Sequence, residues 1–219
     1  MKDCKFCNEG KDIIPIMNQG VVLNRKLYED ENFYVTVSIG ALAEGHLIII
    51  PKKHYLSAGE FENNIMNKFI SLQKRLIEVL KKLYGKKVIS FEHGTGKYAV
   101  TSAASVIHAH VHLVPVNDSL IPEIKDDGCK ITQIESFYDL QKCADLGESY
   151  IVYQDVDRKL YLVEKKEKQS QFFRKLICDT YNTGEWDWHK DYKEDNIIKT
   201  VEKFNSNWGG KTIRIKKTS

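Results

Sequence analysis

The sequence predicts an α+β protein: an antiparallel sheet of about five strands with one long helix, followed by a C-terminal hairpin-and-helix extension. Three observations predict this class: short apolar stretches bounded by turn residues, one long stretch with helical periodicity, and a polar connector at 117–128. The chain has 219 residues, of which 42% are hydrophobic and 29% charged, a composition typical of a globular protein.

The first half of the chain contains most of the predicted sheet. VVLNRKLYED and NFYVTVSIG are predicted strands joined by a polar turn at 30–32, and HLIIIPK is a buried strand that stops at Pro51. Apolar residues then recur every three or four positions from Phe61 to Leu83, which predicts a helix with a capping box at Ser57 and Glu60. KKVISFEHG and VIHAHVHLVPV are the next predicted strands, with the loop GTGKYAVTS between them.

A boundary near residue 118 divides the expected domain 1–118 from an α+β extension at 119–219. In the extension, ESYIVYQDVDRKLYLVEKK predicts a hairpin turned at 155–158. KQSQFFRKLICDTYN and EDNIIKTVEKFNSNW each predict a helix. The extension is expected either to form a small domain or to extend the first sheet.

The composition indicates where the protein is expected to act and which partners are less favoured. No apolar run reaches the roughly 18 residues that a membrane helix needs, and the N-terminus lacks the apolar core of a signal peptide. Five cysteines without disulfide-framework spacing favour free thiols or metal ligands, so we expect a reducing, cytoplasmic location. A formal charge of +3 does not by itself indicate nucleic acid, and the basic end KTIRIKKTS is interpreted as a solvated tail or a phosphate-binding arm.

The stretch SVIHAHVHLVP places His108, His110 and His112 at alternate positions. On a strand these side chains share one face, and the apolar residues between them can pack on the long helix. Three packed imidazoles would leave several polar nitrogens without partners, so a purely structural role is disfavoured. Two chemistries remain open: a metal site with histidine ligands, and nucleophilic catalysis by a neutral imidazole.

HAHVHLV also matches the pattern that names the histidine triad (HIT) superfamily, His-x-His-x-His with apolar residues between. CKFC, LYEDENFYV, GHLIIIPKKH, the long helix and FEHG precede it in the order found in that superfamily, so residues 4 to 116 carry the resemblance. The resemblance implies a HIT-like fold and a nucleotide hydrolase or transferase. The later SQFFRKL and WDW resemble an extended, zinc-bearing branch.

The resemblance also implies roles for the histidines. His110 corresponds to the nucleophile that attacks an α-phosphorus and holds the nucleoside monophosphate as a phosphoramidate. His112 is expected to hydrogen-bond the phosphate or the leaving oxygen. Ser105 occupies a position where a polar side chain reaches the leaving group, although a strand-end hydroxyl explains it equally well. Ala104 stands where the family often has Gln, which weakens the case for leaving-group assistance.

Cys4 and Cys7 have the spacing that allows two thiolates to bind one zinc ion. The resemblance supplies two further ligands, His54 and His108, for a structural Cys2His2 zinc site. Free thiols without metal are the alternative.

Three residues are candidates for substrate binding, each with an alternative. His93 is expected to line the phosphate pocket or to face solvent in a turn. Phe33 is expected in the nucleoside slot or in the core. Arg174 is expected to bind phosphate through two hydrogen bonds or to form a structural salt bridge.

The leading hypothesis is therefore an enzyme that forms a nucleotidyl-histidine intermediate on a nucleotide or dinucleoside polyphosphate. The alternatives are a non-catalytic nucleotide- or RNA-binding module and a metal-dependent hydrolase that uses all three histidines. A homodimer is compatible with the resemblance, a nucleic-acid partner is not favoured, and no membrane partner is expected.

Overall fold

The computed structural model describes residues 4, 6–7, 16–18, 21–98, 106–164 and 171–207. The strands in these ranges are β1 (Ile16–Asn18), β2 (Val21–Leu23), β3 (Lys26–Glu29), β4 (Phe33–Val37), β5 (Leu47–Pro51), β6 (Lys87–Gly94), β7 (Val111–Val116), β8 (Lys130–Ile134), β9 (Tyr150–Gln154) and β10 (Leu160–Glu164). The α-helices are α1 (Asn63–Tyr84), α2 (Ile121–Asp126), α3 (Gln141–Asp145), α4 (Phe172–Tyr181) and α5 (Glu194–Asn207), with 3-10 turns at Ala58–Glu60 and Phe137–Leu140.

Eight of these strands form one antiparallel sheet in the order β3-β4-β5-β7-β6-β9-β10-β8, and β1 and β2 form a separate hairpin. The predicted α+β class with an antiparallel sheet is confirmed, with more strands than the five expected. Strand β9 pairs with β6, so the sheet continues across residue 118 and the extension lengthens the first sheet. The hairpin turn at 155–158 is as predicted, because the Asp155 carboxylate accepts hydrogen bonds from the backbone N–H groups of Asp157 and Lys159.

The two faces of the sheet differ in what they carry. On the face that we call the α1 face, Val111 and Leu113 of β7 join a core with Phe69 and Leu76 of α1, as the apolar spacing predicted. The opposite face, which we call the histidine face, carries His112 because side chains alternate along β7.

The extension covers both faces. Phe172, Phe173 and Ile177 of α4 pack on the histidine face against Phe91 and Val114. Helix α5 packs on the α1 face and contributes Ile197, Val201 and Phe204 to that core. The extension is therefore built into the same hydrophobic interior as the first half of the chain.

The start of α1 differs from the prediction. Ser57 precedes the 3-10 turn and makes no capping bond, and the Glu60 carboxylate accepts a hydrogen bond from the backbone N–H of Leu56 instead. Two residues separate the end of the 3-10 turn at Glu60 from the start of α1 at Asn63. It ends as predicted at Gly85, whose left-handed backbone (φ 61°) allows its N–H to bond to the Lys81 carbonyl. No helix in the described ranges is both long and apolar enough to cross a bilayer.

The histidine strand is also shorter than predicted, because β7 starts at Val111 and leaves His108 and His110 in an irregular segment before it. Two positions beyond the pair Ile49–Val111, the same register would bring Ala109 opposite Pro51, which has no N–H to donate. Ala109 donates its N–H to the Tyr55 carbonyl instead. The chain therefore leaves the sheet at this point. The side chains of His108 and His110 need not point to the same face of the sheet as that of His112.

Candidate active site and metal centre

His110 presents one ring nitrogen as a free base. Its Nδ1 lies 2.7 Å from the carbonyl oxygen of His108, which can only accept, so Nδ1 carries the proton and Nε2 carries the lone pair. Burial lowers the pKa of His110, since the charged ring is poorly solvated there. The ring of Phe6 lies edge-on to it, with centroids 5.3 Å apart. A neutral imidazole held in this tautomer has the electronic form that a nucleophile requires.

The tautomer of His112 is set by a chain of hydrogen bonds through His46. The backbone N–H of Leu42 donates to His46 Nδ1 at 3.1 Å, so the proton of a neutral His46 lies on Nε2. That Nε2–H donates to His112 Nδ1 at 2.9 Å, which leaves the proton of His112 on its own Nε2. Burial lowers the pKa of both rings well below the usual value, so both are neutral. His112 is thus a hydrogen-bond donor beside the base His110, with ring centroids 5.1 Å apart.

Aromatic rings support His112 from the extension side. His112 stacks on Phe91 of β6 (4.5 Å, 12°), Phe91 stacks on Phe173 of α4 (4.8 Å, 26°), and Phe173 stacks on Tyr153 of β9 (5.4 Å, 15°). Two of these rings come from the extension, which therefore forms one wall behind the histidines.

A separate cluster joins the N-terminal segment to the histidine segment. Its members are Cys4, Cys7, His54 and His108, and one ligand atom of each lies within 4.8 Å of all the others. Tetrahedral zinc places sulfur and nitrogen ligands about 3.5 Å apart. The sulfur-to-Nδ1 distances are 3.4 Å for Cys4–His108, 3.5 Å for Cys7–His108 and 3.3 Å for Cys7–His54, so these side chains fit the ion.

The tautomer of His108 agrees with this fit. Its Nε2 lies 2.9 Å from the carbonyl oxygen of Pro51 and must donate, so the Nδ1 that faces the thiols carries a lone pair. The neighbouring thiol of Cys4 and burial together raise the pKa of Cys7 to about 11, burial being the larger cause. A bound cation would stabilise the thiolate forms of Cys4 and Cys7, which burial and their mutual repulsion disfavour. Among the described residues His108 faces this cluster rather than His110 and His112, so the three histidines do not converge on one ion.

The predicted substrate-binding residues have different outcomes. His93 lies on the histidine face beside Phe91 and Phe173, and burial lowers its pKa to about 4. Its Nε2 is buried and has no hydrogen-bond partner among the described residues. His93 is therefore placed with the histidine cluster and not in a solvent-facing turn.

The assignment of Phe33 to the nucleoside slot is wrong. Its ring is fully buried on the α1 face against Phe61 and Phe69. Strand alternation gives Phe33 the same orientation as Val35, and the residue of β4 that joins the histidine face is its neighbour Tyr34, which packs with Phe6.

Arg174 is 5% exposed, and within the ranges that the structure describes it forms no salt bridge with a carboxylate. Its Nε donates to the Trp186 carbonyl at 2.9 Å and its Nη2 to the Gly40 carbonyl at 2.6 Å. Both expected roles, phosphate contact and salt bridge, are therefore replaced by bonds to backbone oxygens. Ser105 lies outside the described residues, as does the basic tail 211–219.

Two residues of the site were not singled out from the sequence. His46 could have been noticed as a histidine directly before the buried strand β5, where it is 0% exposed. Glu92 lies on the α1 face of β6, and its buried carboxyl accepts hydrogen bonds from the Ala58 N–H (3.0 Å) and the Tyr150 hydroxyl (2.6 Å). The backbone N–H of His110 also lowers the pKa of this carboxyl, so Glu92 lies beneath the segment that carries the base.

Comparison with known proteins shows which family this chain resembles. The family profile of the HIT domain matches residues 19–119. An uncharacterized HIT-like protein of Methanocaldococcus jannaschii is 32% identical over 112 residues, which cover 51% of this chain and 78% of that protein. The adenosine 5'-monophosphoramidase of Saccharomyces cerevisiae is 30% identical over 115 residues, or 52% of this chain and 63% of that enzyme.

The crystal structure of a zinc-bound histidine triad family protein from Mycobacterium smegmatis matches with a TM-score of 0.40 and 24% identity, over 52% of this chain and 75% of that protein. The ordered motifs, the paired histidines and the Methanocaldococcus relative together identify the family. The chain belongs to the histidine triad family.

Proposed function

We propose that this protein is a nucleotidyl hydrolase or transferase that acts through a nucleotidyl-histidine intermediate on His110. The observation that carries the proposal is the pair of fixed tautomers: a lone pair on His110 and, beside it, a proton on His112 Nε2. The name of the yeast relative, a monophosphoramidase, supports a substrate with a leaving group on the α-phosphate of a nucleotide.

In the first step the Nε2 lone pair of His110 attacks the α-phosphorus, and the bond from phosphorus to the leaving group breaks. The leaving group departs with that electron pair and takes a proton from solvent. The imidazole gains positive charge as the N–P bond forms, and the His108 carbonyl at Nδ1–H stabilises it. The Nε2–H of His112 donates to a phosphate oxygen, where negative charge grows in the transition state.

In the second step a water molecule or another acceptor attacks the same phosphorus. The N–P bond breaks, its electrons return to His110, and the acceptor releases a proton to solvent. His93, with an unused buried nitrogen on the same face, is proposed to line the phosphate pocket. A role for Ser105 at the leaving group stays a prediction.

We also infer a structural zinc ion held by Cys4, Cys7, His54 and His108. All four protein positions of a tetrahedral ion are filled, so the ion would keep no open position for water. Its role would be to hold the N-terminal segment, with Phe6, against His110. The five cysteines, none of which forms a disulfide, support the reducing, cytoplasmic location that we propose.

The test is incubation with an adenosine phosphoramidate, an adenylyl sulfate and a dinucleoside polyphosphate, followed by mass spectrometry of the acid-sensitive adduct. We expect a nucleoside monophosphate on His110. His110→Ala should lose activity by about three orders of magnitude or more, because the nitrogen proposed to form the intermediate is then missing. His189→Ala is the matched control, since His189 is exposed and its ring contacts Asp187 and Trp188 of its own turn, far in sequence from the triad. A His110→Ala protein with normal turnover would contradict the proposal, and binding without an adduct would favour the non-catalytic module.

A further inference from the structure

The loop between β4 and β5 (residues 38–46) makes several hydrogen bonds to the extension, in addition to those within its own half of the chain. Arg174 of α4 donates to the Gly40 carbonyl at 2.6 Å, and Asn196 of α5 donates to the Ala41 carbonyl at 2.7 Å. In the other direction, the Gly40 N–H donates to the Tyr192 carbonyl at 2.8 Å. Four backbone groups of this loop bond to the extension when the Gly45 N–H, which donates to the Thr200 hydroxyl at 2.8 Å, is included.

The fit between loop and extension is tight at Gly40. Its backbone is left-handed (φ +64°), and a Cβ atom there would lie 2.6 Å from both Arg174 Nη2 and Trp188 Cβ. Any larger residue would have to displace the extension or the loop. The position of the loop is therefore determined by α4, α5 and the segment between them.

The same loop determines which ring nitrogen of His46 and of His112 carries the proton. Its Leu42 N–H donates to His46 Nδ1, and through His46 this bond decides which nitrogen of His112 carries the proton. If Leu42 moved away, the proton of His46 could lie on either nitrogen, and His112 could no longer be held as a donor toward substrate.

The positive charge of Arg174 in the extension also favours the neutral forms of His46 and His112. The guanidinium of Arg174 is almost fully buried, and it is the second cause, after burial, that lowers the pKa of His46. It also contributes to lowering the pKa of His112, after burial and the neighbouring rings of His110 and His46. Keeping both rings neutral is a condition of this hydrogen-bond chain, because a protonated His46 could not accept from Leu42.

We propose that the C-terminal extension is a positioning element of the active site: Arg174 and Asn196 hold the 38–46 loop, and the loop holds His112 as the tautomer that donates from Nε2. The effect on turnover rests on the proposed function, whereas the effect on the tautomer does not. Arg174 and Asn196 are positioning residues, since neither touches the reacting atoms.

The experiment uses the full chain with Asn196→Asp, which keeps the shape of the side chain and removes its N–H donors, and with Arg174→Lys, which keeps the charge and loses the planar fork. Asn207→Ala is the matched control, because Asn207 lies on the same helix and also donates to a backbone carbonyl, that of Lys203, but is remote in sequence from the loop contacts. Asn196 is only half-buried, so Asn196→Asp is expected to fold even if Arg174→Lys does not.

Two measurements decide the outcome. The ¹⁵N spectrum of the histidine rings should show His112 with its proton on Nε2 in the wild type and in Asn207→Ala, and a mixture of tautomers in Asn196→Asp. With an adenosine phosphoramidate, kcat of Asn196→Asp should fall about fivefold or more while KM changes less than about twofold, because the lost interaction acts in the transition state.

A folded Asn196→Asp protein with the wild-type ring spectrum would overturn the inference. If the wild type forms no adduct at all, the proposed function fails, but the ring spectra still decide whether the extension sets the tautomer. A shift in the ring spectrum of the Asn207→Ala control equal to that of Asn196→Asp would also overturn it, because the effect would then not pass through the loop.

Discussion

Glu92 is a carboxyl in a place where few carboxylates are tolerated. It is fully buried, and it accepts hydrogen bonds from the Tyr150 hydroxyl and the Ala58 N–H. Burial raises its pKa to about 7, against an ordinary value of 4.5, although these hydrogen bonds act in the opposite direction. Its ionisation therefore occurs near neutral pH and must affect folding.

The sign of that effect follows from proton counting. Between pH 4.5 and about 7 the folded state keeps a proton on Glu92 that the unfolded chain has lost, so the free energy of unfolding falls as pH rises through this window. Relative to Glu92→Gln, which cannot ionise, the free energy of unfolding of the wild type should fall by on the order of 3 kcal/mol from pH 4.5 to about 7. Above that window this difference should not grow further.

Urea unfolding of both proteins at several pH values between 4 and 8 measures the difference, in which the titration of other groups cancels. Glu202→Gln, at an exposed position of α5, should follow the wild-type profile. Parallel profiles for the wild type and Glu92→Gln would show that Glu92 does not titrate in this range.

Phe33 and Arg174 show that sequence patterns alone do not predict which side chains are buried or which partners they bond to. Alternation correctly placed Phe33 and Val35 on one side of a strand, but only the packing of α1 decides that this side is the core. Arg174 is a recognisable donor in the sequence, yet its acceptor is the carbonyl of Gly40, 134 positions away. No local pattern contains that partner.

Strand β5 and the N-terminal segment show how a short element organises the site. Pro51 ends the pairing with β7, and its carbonyl receives the Nε2–H of His108, which turns the other nitrogen toward the cysteines. The predicted metal ligands are brought together in this way, although they span more than one hundred positions of the chain.

Metal analysis tests this arrangement. We expect one zinc ion per chain in the wild type and none in Cys4→Ser, because three ligands with a weak hydroxyl bind zinc much less tightly. Cys143→Ser is the control, since Cys143 is also half-buried but lies outside the cluster. Removal of the ion with a chelator should lower the Tm of the wild type and leave that of Cys4→Ser unchanged. Equal zinc content in the wild type and Cys4→Ser would contradict the assignment.

The sheet as a whole gives the extension a structural role as well as a positioning one. Strand β9 pairs with β6 over five residue pairs, and α4 covers Ile89, Phe91 and Val114 on the histidine face. Without the extension these apolar side chains would face water and β6 would have an open edge.

A chain that ends at residue 118 is therefore expected to lose cooperative unfolding, even though it contains all but the last residue of the matched HIT domain. Circular dichroism during thermal unfolding measures this, with the full chain as reference. A sharp, reversible transition of the truncated chain near that of the full chain would show that the first 118 residues fold independently.

The resemblance supplied His54 and His108 as candidate zinc ligands, and strand β1 and the division of VVLNRKLYED into β2 and β3 were not predicted. The α+β class, the elements from β4 to β7, the spacing of Cys4 and Cys7 and the histidine segment could be predicted from local patterns. These are properties of period, spacing and residue type, which the chain carries locally. Strand β8 and the short helices α2 and α3 were not predicted, because their few apolar residues give no clear period within a polar segment.

By itself, the sequence determined which imidazoles alternate, which thiols can share an ion and which segments form strands. Only the tertiary structure decided that His46 and Leu42 set the proton on His112, that Phe33 belongs to the core, and that the extension completes the sheet. The physical reason is that tautomers, burial and hydrogen-bond partners depend on atoms brought together from distant parts of the chain, whereas periodicity depends only on neighbours.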